Sequence, residues 1–157
     1  MTVDDLAAYR EIRLRALQSD PDAFGSSYER EAAFSDEEWR QRLSRGDAGG
    51  GWMALVDGKP VGIVGCYDFG VPGEVLIVSM WVAPEARRRG VAAKLIQAAI
   101  DWGKSREQTT RVALEVGDLN ASAIALYEQL GFVDTGHRQP MPGRESLIER
   151  LYHMPIR

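Results

Sequence analysis

Three consecutive arginines and a glycine, Arg87-Arg88-Arg89-Gly90, stand between two apolar stretches. Val78-Ser79-Met80-Trp81-Val82 precedes them and Val91-Ala92-Ala93-Lys94-Leu95 follows. The pattern reads as a buried strand, a short basic loop and the start of a helix. A helix start leaves unpaired N–H groups with the positive end of the macrodipole behind them, a geometry that binds phosphate. Gly90 has no side chain to block a ligand, and Ala92 and Ala93 keep the first turn small. The guanidinium groups can add charge-assisted hydrogen bonds to phosphate oxygens.

A second block lies downstream. Glu115 falls near the end of the apolar run Arg111–Val116, and Asn120 opens a helix over Ala121–Leu130 that carries Tyr127 and closes at Gly131. A strand-end carboxylate withdrawn from water can take a proton, and a phenol can give one to a leaving thiolate. Each residue alone also has a plain reading, a packed ring and a solvated acid. They belong together only if the strands bearing Trp81 and Glu115 are parallel neighbours whose ends diverge over two helix starts, where ligands bind in α/β arrangements.

The pattern supplies that frame. Asp4–Gln18 has helical spacing, with Leu6, Tyr9, Ile12, Arg13 and Leu17 on one face, and Ser19-Asp20-Pro21-Asp22 stops it. Tyr28–Ala33 reads as a helical turn. Ser35 and Glu38 form a capping box for a helix through Trp39 to about Leu43, and Gly46–Gly51 reads as a loop. Strands follow over Trp52–Val56, Pro60–Phe69 and Glu74–Val82, joined by turns at Asp57-Gly58 and Gly70–Gly73. Glu74–Val82 is apolar on both faces and therefore central. Val91–Ser105 is the long helix, and it sets Arg111–Val116 parallel to Glu74–Val82. Phe132-Val133 begins another strand, His137–Ser146 reads as a loop with two prolines, and Leu147–Met154 is the last strand. The result is an α+β fold with a mixed, mostly antiparallel sheet and helices on both faces.

Composition narrows the function. The 157 residues read as one domain, 1–157, with 45% hydrophobic and 27% charged residues. A net charge of −4 argues against non-specific nucleic-acid binding. The single cysteine, Cys66, excludes an internal disulfide and a cysteine-based metal cluster. His137 and His153 are too isolated to suggest a metal, so none is expected. No apolar run reaches membrane-spanning length and no signal-peptide pattern opens the chain, so a cytoplasmic protein without a membrane partner is the expectation. Nothing fixes the oligomeric state, and a homodimer stays open.

The two blocks together resemble the GNAT superfamily of acyl-CoA N-acyltransferases. Its Gln/Arg-x-x-Gly-x-Gly/Ala loop is here Arg87-Arg88-Arg89-Gly90-Val91-Ala92, and the spacing from Glu115 through Asn120 and Tyr127 to Gly131-Phe132 is similar to that of ribosomal-protein alanine N-acetyltransferases. The resemblance covers Glu74–Phe132 and implies a GNAT-like sheet with its parallel pair splayed at the cofactor site. It implies acetyl-CoA as cosubstrate and an amine acceptor. Backbone groups of Met80, Trp81 and Val82 would pair with the pantetheine arm. Arg88, Arg89, Gly90, Val91, Ala92 and Ala93 would hold the pyrophosphate, with Arg87 nearby and Asn120 on the cofactor arm. Tyr127 would be the general acid and Glu115 the general base, acting through water.

The chain departs from the family in two places. Members open with a strand before the first helix, whereas here that strand is expected to be absent or to lie before Met1. Some members carry a base mid-strand, where this chain has Leu76, Ile77 and Val78, leaving the role to Glu115 or water, with Glu74 behind them. The acceptor would be bound by Phe24–Trp39 and His137–His153, with Tyr28, Glu29, Glu31, Trp39, His137, Arg138 and Arg144 as candidates. A small amine, an amino acid, an antibiotic and a peptide N-terminus all remain open. So does a non-catalytic acyl-CoA sensor on the same scaffold.

Overall fold

The computed structural model describes all 157 residues. Three helices come first: α1 (Leu6–Ser19), α2 (Tyr28–Ala32) and α3 (Asp36–Leu43). The capping box at Ser35 and Glu38 forms as read, and a second one, Thr2 with Asp5, opens a 3-10 turn ahead of α1. No strand precedes α1. Next come β1 (Gly49–Val56), β2 (Lys59–Asp68), β3 (Glu74–Val82), α4 (Val91–Ser105), β4 (Arg111–Gly117) and α5 (Ala121–Gln129). A closing hairpin of β5 (Val133–Met141) and β6 (Arg144–Pro155) completes the chain.

The six strands form one sheet in the order β1-β2-β3-β4-β6-β5. Every pairing is antiparallel except β3 with β4, which the α4 crossover makes parallel. Helix α4 lies on one face, close enough that a Cβ on Gly62 of β2 would meet Leu95 Cδ1 at 2.9 Å. The next residue, Ile63, turns to the opposite face with Trp81, where Arg15 of α1 lies 5.7 Å over the indole ring. Helices therefore cover both faces. No helix is long and apolar enough to cross a membrane.

Two readings change. The segment His137–Ser146 is not a loop: it completes β5, turns at Pro142-Gly143 and starts β6. The strand tolerates Pro140 because β5 is the sheet edge, where a missing N–H leaves no ladder bond unmade. The glycines at 49–51 are strand rather than loop, paired with Tyr67, Cys66 and Gly65.

Candidate active site

The parallel pairing of β3 with β4 stops early. It runs from Glu74↔Arg111 to Ile77↔Leu114. Beyond that, β4 follows β6 to Gly117↔Glu149, while β3 follows β2 to Val82↔Gly62. The two strands splay into a wedge. Its cause is a bulge in β3, where Ser79 and Met80 together oppose Val64 of β2. Ser79 sits at φ +57°, a left-handed conformation rare for a residue with a Cβ. From Val78 onward, the β3 edge that faces the wedge has no partner strand. The Ala83 N–H turns to Val61 O at 2.8 Å, so strand alternation turns the Val82 N–H and carbonyl into the wedge.

The arginine loop closes the mouth of the wedge. Arg88 lies at φ +58° and Gly90 at φ +76°, and the two left-handed residues swing the chain into α4. A Cβ on Gly90 would meet nothing within 4 Å. Glycine is needed there for its backbone angle and not for packing. No side chain caps α4, and the N–H groups from Arg88 to Ala93 find no acceptor in the chain. Arg88 and Arg89 are exposed and make no ion pair. Arg87 differs from its two neighbours. Its Nε donates to Val82 O at 2.9 Å and its Nη2 to Asp20 Oδ2 at 2.7 Å, and the same carboxylate oxygen accepts from Trp81 Nε1 at 2.7 Å. Arg87 therefore ties the loop to β3 and to the end of α1. Trp81 (4% exposed) does not face the wedge as expected: strand alternation turns its backbone to Ile63 of β2 and leaves Met80 and Val82 on the open edge.

On β4, Glu115 faces a cavity of about 730 Å³ that also reaches Arg13, Glu31, Ser79 and Glu149. The Gln139 amide nitrogen bridges two carboxylates there, donating to Glu115 Oε1 at 2.8 Å and to Glu149 Oε1 at 2.7 Å. Partial withdrawal from water and the like charge of Glu149 push the Glu115 carboxyl above its ordinary value; the Gln139 hydrogen bond opposes them. Gln139 was not legible as a site residue because it fell in a segment read as a loop, and Glu149, on the last strand, because nothing local marks its cross-strand neighbours. The cross-strand register, with Glu149 opposite Gly117 and Gln139, brings them beside Glu115. Glu74 does not compete for the role. It sits at the paired end of β3, where Arg111 Nε donates to it at 2.7 Å.

Tyr127 does not line that cavity. Its ring is buried among core residues, edge-on to Phe132 at 6.0 Å. The hydroxyl has no protein partner and is not sealed from solvent. Burial pushes the phenol up to about 12. Asn120 caps α5 as read, its Oδ1 accepting from the Ala123 N–H at 3.3 Å.

The acceptor-side candidates divide. Of those named from sequence, only Glu31 reaches the cavity; Tyr28, Glu29, Trp39, His137, Arg138 and Arg144 do not line it. Glu31 is not a surface acid. It is fully buried, paired bidentately with Arg13 at 2.8 and 2.9 Å and with Arg42 at 3.1 and 3.3 Å. Arg13 Nη1 extends to Ser79 Oγ at 3.4 Å, linking α1 to the bulge.

The family model described as the acetyltransferase (GNAT) family matches residues 11–132. The chain belongs to the GNAT family. An N-acetyltransferase of Methanocaldococcus jannaschii, described as uncharacterised, is 32% identical over 156 residues, 96% of this chain. The chain spans only 65% of that protein's length. Among solved structures, a ribosomal-protein-alanine N-acetyltransferase from Brucella melitensis superposes with a TM-score of 0.82 at 24% identity, over 99% of this chain and 97% of that one. NAA60 of Arabidopsis thaliana, solved in complex with acetyl-CoA, superposes with a TM-score of 0.69 at 21% identity, over 99% and 96%. At these identities the structures speak for the fold alone, which this GNAT chain shares.

Proposed function

We propose that this GNAT chain transfers an acetyl group from acetyl-CoA to a primary amine by direct attack in a ternary complex. The observation that carries the reading is the wedge, with an uncapped helix start at one mouth and a carboxylate facing a cavity at the other. Family membership supports it, as does the acetyl-CoA held by a neighbour of the same fold.

Acetyl-CoA, when bound, supplies an acyl group activated as a thioester. The free N–H groups from Arg88 to Ala93, with the Arg88 and Arg89 side chains, suit its phosphates, while Arg87 holds the loop in place. The Met80 backbone and the Val82 N–H offer an unpaired strand edge to an extended arm. The Val82 N–H is placed to meet negative charge growing on the acyl oxygen. Glu115 takes a proton from the substrate ammonium, directly or through water, because only the neutral amine can attack. Tyr127 donates a hydrogen bond to the departing sulfur. Alignment of the two reactants in one wedge supplies much of the remaining acceleration.

Thermal melting with acetyl-CoA, CoA and ATP tests the cofactor half. At a hundredfold excess over Kd, a native-state ligand adds about 2.7 kcal/mol, which raises Tm by roughly 5–10 °C for a chain of this size. The rise is expected with acetyl-CoA and CoA and not with ATP. An equal rise with ATP, or none with any of them, would sink the assignment.

The pH profile tests the base. A protonated carboxyl cannot accept a proton, so kcat/KM should fall as pH drops through the raised Glu115 value. Glu115→Gln should lower kcat/KM by about 10²-fold. Glu149→Gln removes the like charge, so the acid limb should move to lower pH in that variant. A limb that stays in place would take the carboxylate pair out of the mechanism.

A further inference from the structure

The acceptor cavity carries its charges on separate walls. Glu115 and Glu149 reach it from the β4–β6 side, where the Gln139 amide separates their oxygens. The wall built by α1, α2, α3 and the segment before β1 is basic, lined by Arg13, Arg30, Arg42 and Arg45. Glu31 is the one carboxylate on that wall, and Arg13 and Arg42 share it. Arg30 and Arg45 have no acid partner and no side-chain hydrogen bond. The Arg45 guanidinium is held 4.3 Å over the Tyr67 ring, itself part of the lining. Ser26 Oγ, on the same wall and sealed from water, lies beside the Glu31 carboxylate, which its hydroxyl helps hold below the usual value.

A bound cation could sit comfortably only at the acidic wall. A second positive arm would meet guanidinium groups that lack counter-charges, and like charges that close repel. An anionic arm would find two unpaired guanidiniums, donors that suit a carboxylate. A cavity of about 730 Å³ holds a small ligand of this kind with the acyl donor beside it.

We infer that the acceptor is an amino acid, its ammonium toward Glu115 and Glu149 and its carboxylate toward Arg30 and Arg45. The inference rests on the acetyl-transfer reading and names its substrate class. The carboxylate's role is to orient the molecule so that one nitrogen faces the base. A polyamine has no group for the basic wall, and a peptide N-terminus replaces the carboxylate with a neutral amide.

The test is thiol release from acetyl-CoA with each of the common amino acids, its C-terminal amide, and spermidine. The amide keeps the amine and side chain and lacks the charge. At least one amino acid is expected to be acetylated, with kcat/KM about tenfold to a hundredfold above its amide. Arg45→Ala and Arg30→Ala should remove most of that preference by lowering activity on the acid alone. Both side chains are exposed, so Tm and the acetyl-CoA-induced Tm rise should stay unchanged in these variants. Amides or spermidine used as well as or better than amino acids would overturn the inference and leave acetyl transfer standing. So would a preference for acids that survives the double variant. Acetyl-CoA binding with no thiol release from any amine would overturn both.

Discussion

Tyr127→Phe is expected to lower kcat by about 10²–10³-fold, the usual loss for one donor aimed at developing negative charge, with acetyl-CoA affinity nearly unchanged. The magnitude follows from what the phenol can do. A thiol ionises near 8.5, and the Tyr127 phenol is pushed up to about 12. Outright transfer of its proton to a thiolate therefore runs uphill by about 5 kcal/mol. The group acts best as a strong hydrogen-bond donor to the sulfur as the bond breaks, with the proton finally made up by the one the attacking nitrogen sheds. A phenol at about 12 keeps its proton throughout the assay range, so the variant's deficit should be the same at pH 7 and pH 9. The fold should not suffer. The hydroxyl has no protein partner, so its removal orphans nothing, and the ring keeps its edge contact with Phe132. Steady-state kinetics and a melting curve on the one variant separate these effects. A kcat near wild type would remove Tyr127 from the chemistry while leaving the fold intact.

The strand–loop–helix unit around Arg87 to Gly90 was legible because its signals are local. Period and capping place β3, α4, β4 and α5, and the crossover rule makes β3 and β4 parallel. What escaped is non-local or conformational. Ser79 bears no mark of a left-handed backbone, since only glycine advertises that freedom, so the bulge that opens the wedge is invisible in sequence. Asp20 looked like a helix stop. It joins Trp81 and Arg87, 61 and 67 residues away, and so connects the end of α1 to the arginine loop. Gln139 lay hidden because prolines in the closing hairpin mimic a loop when the strand's edge position is unknown, and Glu149, on a strand that was legible, because only the cross-strand register brings it beside Glu115. Glu31 resembled a solvated acid on a short helix, since charge pairing across 18 residues leaves no periodic trace.

Glu31→Ala is the substitution expected to affect stability most. Removing one member of a buried ion pair typically destabilises by about 3–5 kcal/mol, which lowers Tm by roughly 6–20 °C for a chain of this size. Two guanidinium groups would lose their shared counter-charge. Arg13, 5% exposed, would keep only the Phe24 ring at 4.7 Å and the long contact with Ser79 Oγ. Arg13→Met should be milder, because Glu31 would retain both hydrogen bonds from Arg42 and the new side chain is apolar. The pH dependence follows from the direction of the Glu31 shift. Burial alone would raise its carboxyl, but the hydrogen bond and charge of Arg13 and the charge of Arg42 outweigh it and hold the group below its ordinary 4.5. A depressed native value means that the ionised form stabilises the fold fully above the unfolded value and loses that contribution as pH falls through the native one. The Tm gap between wild type and Glu31→Ala should therefore be widest near neutrality and close on acidification below pH 4.5. A gap under about 2 °C at pH 7 would mean that the triad's desolvation cancels its attraction. The loss should also reach the chemistry. Arg13 is the only side chain bonded to the bulge residue, so loosening the triad frees Ser79 to relax its left-handed backbone and narrow the wedge. Activity in Glu31→Ala should then fall further than the folded fraction at the assay temperature accounts for.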